Sequence, residues 1–254
     1  MPTAGKKEVT LVLTSKCWTD DYDKKISTAS YGRYSQPYKK DGNPQSYTDH
    51  VDYKIYTPVK TGNKVTVEVQ FKVEAQSGVS ETEITAAKAK LENGVTTHWN
   101  NKFTLEAEDT ECTNCIKKSF PIEYKIIWVT SGEDYTFKIH DTYPRAGLTG
   151  SVMDVSKSTS AWVYAHEFGH CVGLPDEYSY TVDTETVKYF KPDGSLDAAI
   201  SAPPNGKSKT ATDATIMAAH DNTTTLPRHA WNIAIEVQEL LTAKLGRKIK
   251  CTIK

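Results

Sequence analysis

The stretch Ala165-His166-Glu167-Phe168-Gly169-His170-Cys171-Val172-Gly173-Leu174-Pro175-Asp176-Glu177-Tyr178 constrains this chain most, because it couples a helical spacing to an enforced break. On a helix of 3.6 residues per turn, His166 and His170 project from one face. That spacing suits two imidazoles converging on a single zinc ion, at about 2.0–2.1 Å each. Glu167 lies about 100° further round the helix. From there it reaches a metal-bound water without ligating the metal, as a general base must. Gly173 can adopt positive φ and Pro175 forbids simple continuation, so the chain has to turn sharply there. The turn brings a carboxylate up as a third ligand. Asp176 is placed for it, and Glu177, with the same chemistry and a longer reach, competes.

Read as one pattern, H-E-x-x-H-x-x-G-x-x-D resembles the metzincin clan of zinc peptidases, whose third ligand is usually His and in some members Asp. The clan's second mark is a tight turn bearing Met beneath the metal, and Thr215-Ile216-Met217-Ala218 looks like that turn. The resemblance spans Lys64 to Gly246 by element order and is specific only in these two motifs. It implies an α+β, zincin/metzincin-like fold. Such a fold has a twisted mixed β-sheet, a long N-terminal helix, an active-site helix, and a C-terminal helix after the Met-turn. It also implies a zinc-dependent metalloendopeptidase with His166, His170 and Asp176 as metal ligands, the clan's glycine-to-ligand spacing favouring Asp176 over Glu177. Glu167 would be the general base that takes a proton from the zinc-activated water and returns one to the leaving amine. An Asp ligand adds negative charge to the set, so the zinc is expected to be a weaker Lewis acid than with three histidines. Some metzincins stabilise the oxyanion with a Tyr just after the Met-turn, but no Tyr follows Met217 here. Tyr178, His220, Arg228 and His229 are the candidates for that task, and His229, opening the last helix, is the first choice as a second catalytic residue.

The longer form H-E-F-G-H-x-x-G-x-x-D-E-Y is similar to domains of bacterial secretion-system effectors. That likeness implies a toxin acting on periplasmic proteins or peptidoglycan peptides, with an immunity or inhibitor protein as partner. A different class is a non-catalytic zinc-containing binding module. The intact Glu167 argues against it, since a structural site has no need of a carboxylate beside its first ligand.

The chain of 254 residues is long enough for one large domain with an ample core. It is expected to be a single domain, 1–254, with a β extension at 1–60, the sheet and active-site helix at 64–173, and a C-terminal part at 174–254. Lys plus Arg number 31 against 32 Asp plus Glu, and no basic stripe stands out, so a nucleic-acid partner is not expected. No cleavable signal follows Met1, and no segment approaches the ~20 apolar residues of a membrane span. Export by a specialised secretion machine is one route compatible with that, and a monomer acting on protein or peptide substrates is expected.

Of five cysteines, Cys112 and Cys115 form a C-x-x-C. A structural zinc there would need two more ligands, so a local disulfide or two thiols fits better than a second metal. Cys171 reads as a small buried residue, and no surrounding pattern gives Cys17 a role.

Alternation predicts strands at Glu8–Leu13, Val51–Tyr56, Lys64–Glu74, Phe103–Ala107, Ile122–Thr130, Tyr135–His140 and Lys248–Ile253. The long polar run from Asp20 to His50 reads as a surface excursion with room for a hairpin. Ser80 and Glu83 form a capping-box pattern for a helix to about Asn100, interrupted by Gly94. Ser158-Thr159-Ser160 can cap the metal helix, which runs to Val172 with an apolar side of Trp162, Val163 and Ala165. Thr181 to Asp213 reads as a hairpin on a long loop, and Pro227 to Leu245 as the last helix, stopped by Gly246. In the clan the strand before the metal helix lines the cleft, and by that resemblance Tyr135–His140 is the edge on which a substrate would pair.

Overall fold

The computed structural model describes residues 17–28, 31–38, 50–112, 114–178, 185–197, 200–202, 215–218 and 222–254. In chain order its strands are β1 (Tyr22–Thr28), β2 (Ser35–Tyr38), β3 (Val51–Thr57), β4 (Val65–Ala75), β5 (Thr104–Asp109), β6 (Lys118–Trp128), β7 (Tyr135–His140), β8 (Gly147–Thr149), β9 (Val152–Ser156), β10 (Glu185–Tyr189), β11 (Ile200–Ala202) and β12 (Ile249–Ile253). The helices are α1 (Glu81–His98), α2 (Ala161–Cys171) and α3 (Trp231–Leu245). Mixed α+β architecture therefore holds. The expected strand at Glu8–Leu13 lies outside the described residues.

β4 is the spine of a nine-stranded mixed sheet ordered β12-β5-β6-β4-β7-β9-β8. Its Val65, Val67, Val69 and Phe71 are all fully buried, which fits a strand covered on one face and paired on both edges. β6 runs parallel along one edge from Val65↔Ile122 to Phe71↔Trp128. Along the other edge β3 pairs antiparallel with the first half, and β7 runs parallel with the second. β1 joins outside β3, from Tyr22↔Thr57 to Thr28↔Val51. The sequence hides β1 because only Ile26 of its side chains is buried, so a strand looks like a polar loop. A second, smaller sheet joins β2, β10 and β11.

β7 is not an edge. It lies between β4 and β9, parallel to both, and β8 closes the order as a short antiparallel strand on β9. The polar residues of β7 reflect alternation within a paired strand rather than exposure: Tyr135, Phe137 and Ile139 are fully buried.

α1 starts where Ser80 and Glu83 make a reciprocal capping box, and Trp99 caps its end. Trp99 is wholly buried and donates its indole N–H to the Ala165 carbonyl of α2 at 2.7 Å. α1 runs unbroken through Gly94. A Cβ there would stand 2.3 Å from the Ala161 carbonyl oxygen, so the missing side chain is what lets α1 lie against the start of α2. The expected one-sided character of α2 is also too narrow. Every residue from Tyr164 to Cys171 is buried, while Trp162 and Val163 are only half-buried.

Gly94→Ala forces α1 and α2 apart at backbone, which cannot yield as a flexible side chain would. It should cost about 1–3 kcal/mol of stability, read as a lower urea midpoint with an unchanged slope.

Candidate metal-binding and catalytic site

The site is assembled by the end of α2. Ser160 accepts a hydrogen bond from the Val163 N–H and starts the helix. The other end is closed by two backbone bonds, Leu174 N–H to Gly169 O at 3.0 Å and Gly173 N–H to His170 O at 2.9 Å. With Gly173 at φ +91°, this is a Schellman closure, and it needs glycine at that position. A Cβ on Gly173 would also meet the ring of Tyr34 at 2.8 Å. The chain leaves through Pro175 and returns Asp176 to the two histidines.

His166 Nε2 stands 3.1 Å from Asp176 Oδ1, and His170 Nε2 stands 3.4 Å from the same oxygen. The donor atoms of all three residues lie within 4.8 Å of one another. Each imidazole is aimed by its other nitrogen. His166 Nδ1 bonds the Ile216 carbonyl at 2.8 Å, and His170 Nδ1 bonds the Leu174 carbonyl at 2.7 Å. A carbonyl only accepts, so each Nδ1 donates its proton there, and each Nε2 is the nitrogen turned inward to Asp176. Burial disfavours a charged His170, but the Asp176 carboxylate outweighs it and pushes the ring up to about 10. Burial would likewise raise Asp176, and the two histidines overcome it, holding the carboxyl well below the usual range.

Glu167 is 6% exposed, and its carboxylate is close enough to His170 to favour the charged ring. Trp162 and Tyr178 flank His166 with nearly parallel rings, at centroid distances of 5.6 and 6.2 Å. Arg145 Nη2 donates to the Tyr178 hydroxyl at 2.6 Å.

Beneath the histidines, Thr215-Ile216-Met217-Ala218 forms a tight turn closed by Ala218 N–H to Thr215 O at 2.9 Å. Gly169 makes room for it: a Cβ there would be 2.6 Å from Met217 Sδ. The turn is fastened by Glu177, whose N–H bonds the Met217 carbonyl at 2.9 Å. The Glu177 carboxylate is 1% exposed and accepts from Thr215 Oγ1 at 2.6 Å, Tyr189 Oη at 2.9 Å, and Arg228 Nε and Nη2 at 2.7 and 2.9 Å. His229 Nε2 lies 3.2 Å from it. Glu177 is thus turned away from His166 and His170, into a network of its own.

The four residues named for oxyanion duty separate. His229 is fully buried, its Nδ1 accepts from the Leu226 N–H at 3.1 Å, and its Nε2 faces Glu177. Both ring nitrogens are therefore engaged, and the structure does not bring His229 to the Asp176 group. Arg228 belongs to the same network. His220 lies outside the described residues. Only Tyr178, stacked beside His166, is at the group itself. Sequence spacing could mark none of this, because Arg145 and Tyr178 meet across 33 positions.

Residues 139–219 match the family model described as Immune inhibitor A peptidase M6, catalytic domain. The matched segment contains β8, β9, α2, Asp176 and the Met217 turn. No curated protein and no solved structure matched the chain. The match indicates a metallopeptidase, a hydrolase acting on proteins or peptides. No helix among the described residues is long and apolar enough to cross a membrane.

Glu177 is held below the usual carboxylate range by His229 and Arg228, against the opposing effect of burial. Glu177→Ala leaves Arg228 buried beside an unpaired cavity and should cost about 3–5 kcal/mol. In Glu177→Gln the pH dependence is diagnostic. A depressed folded pKa gives stability that is fully present above the unfolded value of about 4.3 and lost as pH falls through the folded one. The advantage of wild type over Glu177→Gln should therefore shrink below about pH 4.3 in denaturant titrations. A constant gap down to pH 2 would remove the charge from this account.

Proposed function

We propose that the protein is a zinc-dependent endopeptidase in which His166, His170 and Asp176 hold the ion and Glu167 is the general base. The observation that carries this reading is the convergence of two Nε2 atoms on Asp176 Oδ1, at 3.1 and 3.4 Å, with both Nδ1 atoms fixed by backbone carbonyls. Donors bound at ~2.0–2.1 Å to a tetrahedral zinc stand ~3.3 Å apart. The donor set, two imidazoles and one carboxylate, is of the type that catalytic zinc sites use. Zinc held there supplies Lewis acidity, which acidifies a water towards pKa ~7 and polarises a carbonyl.

The chain's own groups do the rest. Glu167 takes a proton from the attacking water and delivers it to the leaving amine. Its place on α2 next to His166, close to His170, favours this role over that of a structural brace. Tyr178, stacked beside His166 and held by the Arg145 guanidinium at its hydroxyl oxygen, is the side chain placed nearest to meet the developing oxyanion. His229 anchors Glu177 instead. The cleft strand is assigned to β8, the last strand of the sheet, whose outer edge accepts an extended peptide by backbone pairing.

Metal-replete protein should carry about one zinc per chain, and His166→Ala, His170→Ala or Asp176→Ala should lose it. Glu167→Gln should keep the zinc and the fold while hydrolysis of a denatured protein falls by about 10²–10⁴-fold. Loss of zinc in Glu167→Gln would make that residue a ligand and sink the assignment.

A further inference from the structure

Cys17, Cys112 and Cys115 form a cluster that shares no residue with the histidine site. Their sulfur atoms lie within 4.8 Å of one another. The sulfur of Cys115 is in bonding contact with that of Cys17 and also with that of Cys112. One sulfur forms one disulfide, so these contacts are alternatives. Both pairs have Cα atoms 5.4 Å apart, inside the span a disulfide accepts. Either bond therefore forms without moving the backbone.

The surrounding contacts hold the three residues together whichever bond exists. The Trp18 indole N–H donates to the Ile116 carbonyl at 2.7 Å, and Arg247 Nη2 to the Cys17 carbonyl at 3.4 Å. Arg247 is itself fixed by Asp109 at 3.1 Å. Cys115 N–H bonds the Cys112 carbonyl at 3.2 Å, which folds the C-x-x-C into a turn. Cys17 and Cys115 are half-buried, within reach of small thiols, whereas Cys171 and Cys251 are buried free cysteines. A structural zinc would need a fourth ligand, and among the described residues the cluster offers three.

We propose that Cys17, Cys112 and Cys115 form a thiol–disulfide exchange site in which Cys115 alternates between Cys17 and Cys112 as its partner. In the exchange the Cys112 thiolate attacks Cys115 Sγ, the Cys115–Cys17 bond breaks, and its electron pair leaves on Cys17, which takes up a proton. No electrons are gained or lost. Starting from three thiols, two electrons and two protons pass to a small-molecule disulfide, which leaves as two thiols. The two bonds differ in reach. Cys17–Cys115 closes a separation of 98 residues and ties the segment leading into β1 to the β5–β6 turn, whereas Cys112–Cys115 closes a separation of three. The exchange therefore switches a long-range tether on and off.

The test equilibrates the full chain in glutathione buffers of graded redox ratio, quenches in acid, alkylates, and maps the peptides. Wild type should yield two species: the Cys112/Cys115 peptide closed on itself with Cys17 alkylated, and the same peptide cross-linked to Cys17 with Cys112 alkylated. Cys112→Ser should give only the cross-link, Cys17→Ser only the internal bond, and Cys115→Ser neither. Oxidised Cys17→Ser should melt roughly 5–10 °C below oxidised Cys112→Ser, because a short loop constrains the unfolded chain far less. A single pairing in wild type at every redox ratio overturns the proposal. So does the loss of one zinc per chain in each cysteine variant, which would make the cluster a metal site.

Discussion

The buried Glu177 carboxylate is the interaction on which the arrangement around α2 depends. It is adjacent to Asp176 in the chain, yet its hydrogen bonds go to Thr215, Tyr189 and Arg228. Four segments are thereby joined at one anion: the loop after α2, the turn that carries Met217, β10, and the approach to α3. An isolated buried carboxylate would be prohibitive, and it is tolerable here because a guanidinium and several neutral donors saturate its oxygens. A fixed Glu177 fixes Asp176 beside it, and a fixed Met217 turn fixes the Ile216 carbonyl that aims His166. The positions of two of the three converging residues are thus set by a group that is not among them.

Close approach supplies the remaining rigidity. α2 is wedged between α1, which it can touch only because Gly94 has no side chain, and the Met217 turn, which it can touch only because of Gly169. Trp99 and Tyr135 then bond its Ala165 and Cys171 carbonyls, at 2.7 and 2.9 Å. A short helix that alone would be marginal in water is held by neighbours on every side.

The sequence made the centre of the fold legible and left its periphery obscure, for a physical reason. Periods of 3.6 and 2 mark elements with one buried face, and so α1, β3, β4, β6 and β12 could be read with end errors of a few residues. The capping box at Ser80, the end of α2 at Gly173 and that of α3 at Gly246 are local chemistry, and each occurs where glycine or a cap required it. β1 escaped because a strand paired to the sheet by backbone bonds needs few apolar side chains. β7 was misread as an edge because polarity along a strand does not report what lies beside it. In the site, four-residue spacing disclosed His166 and His170, and the glycine–proline break disclosed Asp176. The partners of Glu177, the docking of Arg145 on Tyr178 and the meeting of Cys17 with Cys112 and Cys115 are products of tertiary folding, which no local pattern records.

The histidines at the centre are aimed by main-chain oxygens, those of Ile216 and Leu174, rather than by acidic side chains. Every amino acid carries that oxygen, so no point substitution at either position deletes the bond. The orientation of the rings is written in the path of the backbone. Residues at 216 and 174 are then free to drift so long as they fill their buried space, and the site can hold its geometry while the surrounding letters change. A comparison of letters alone would lose track of such a site long before its chemistry was lost.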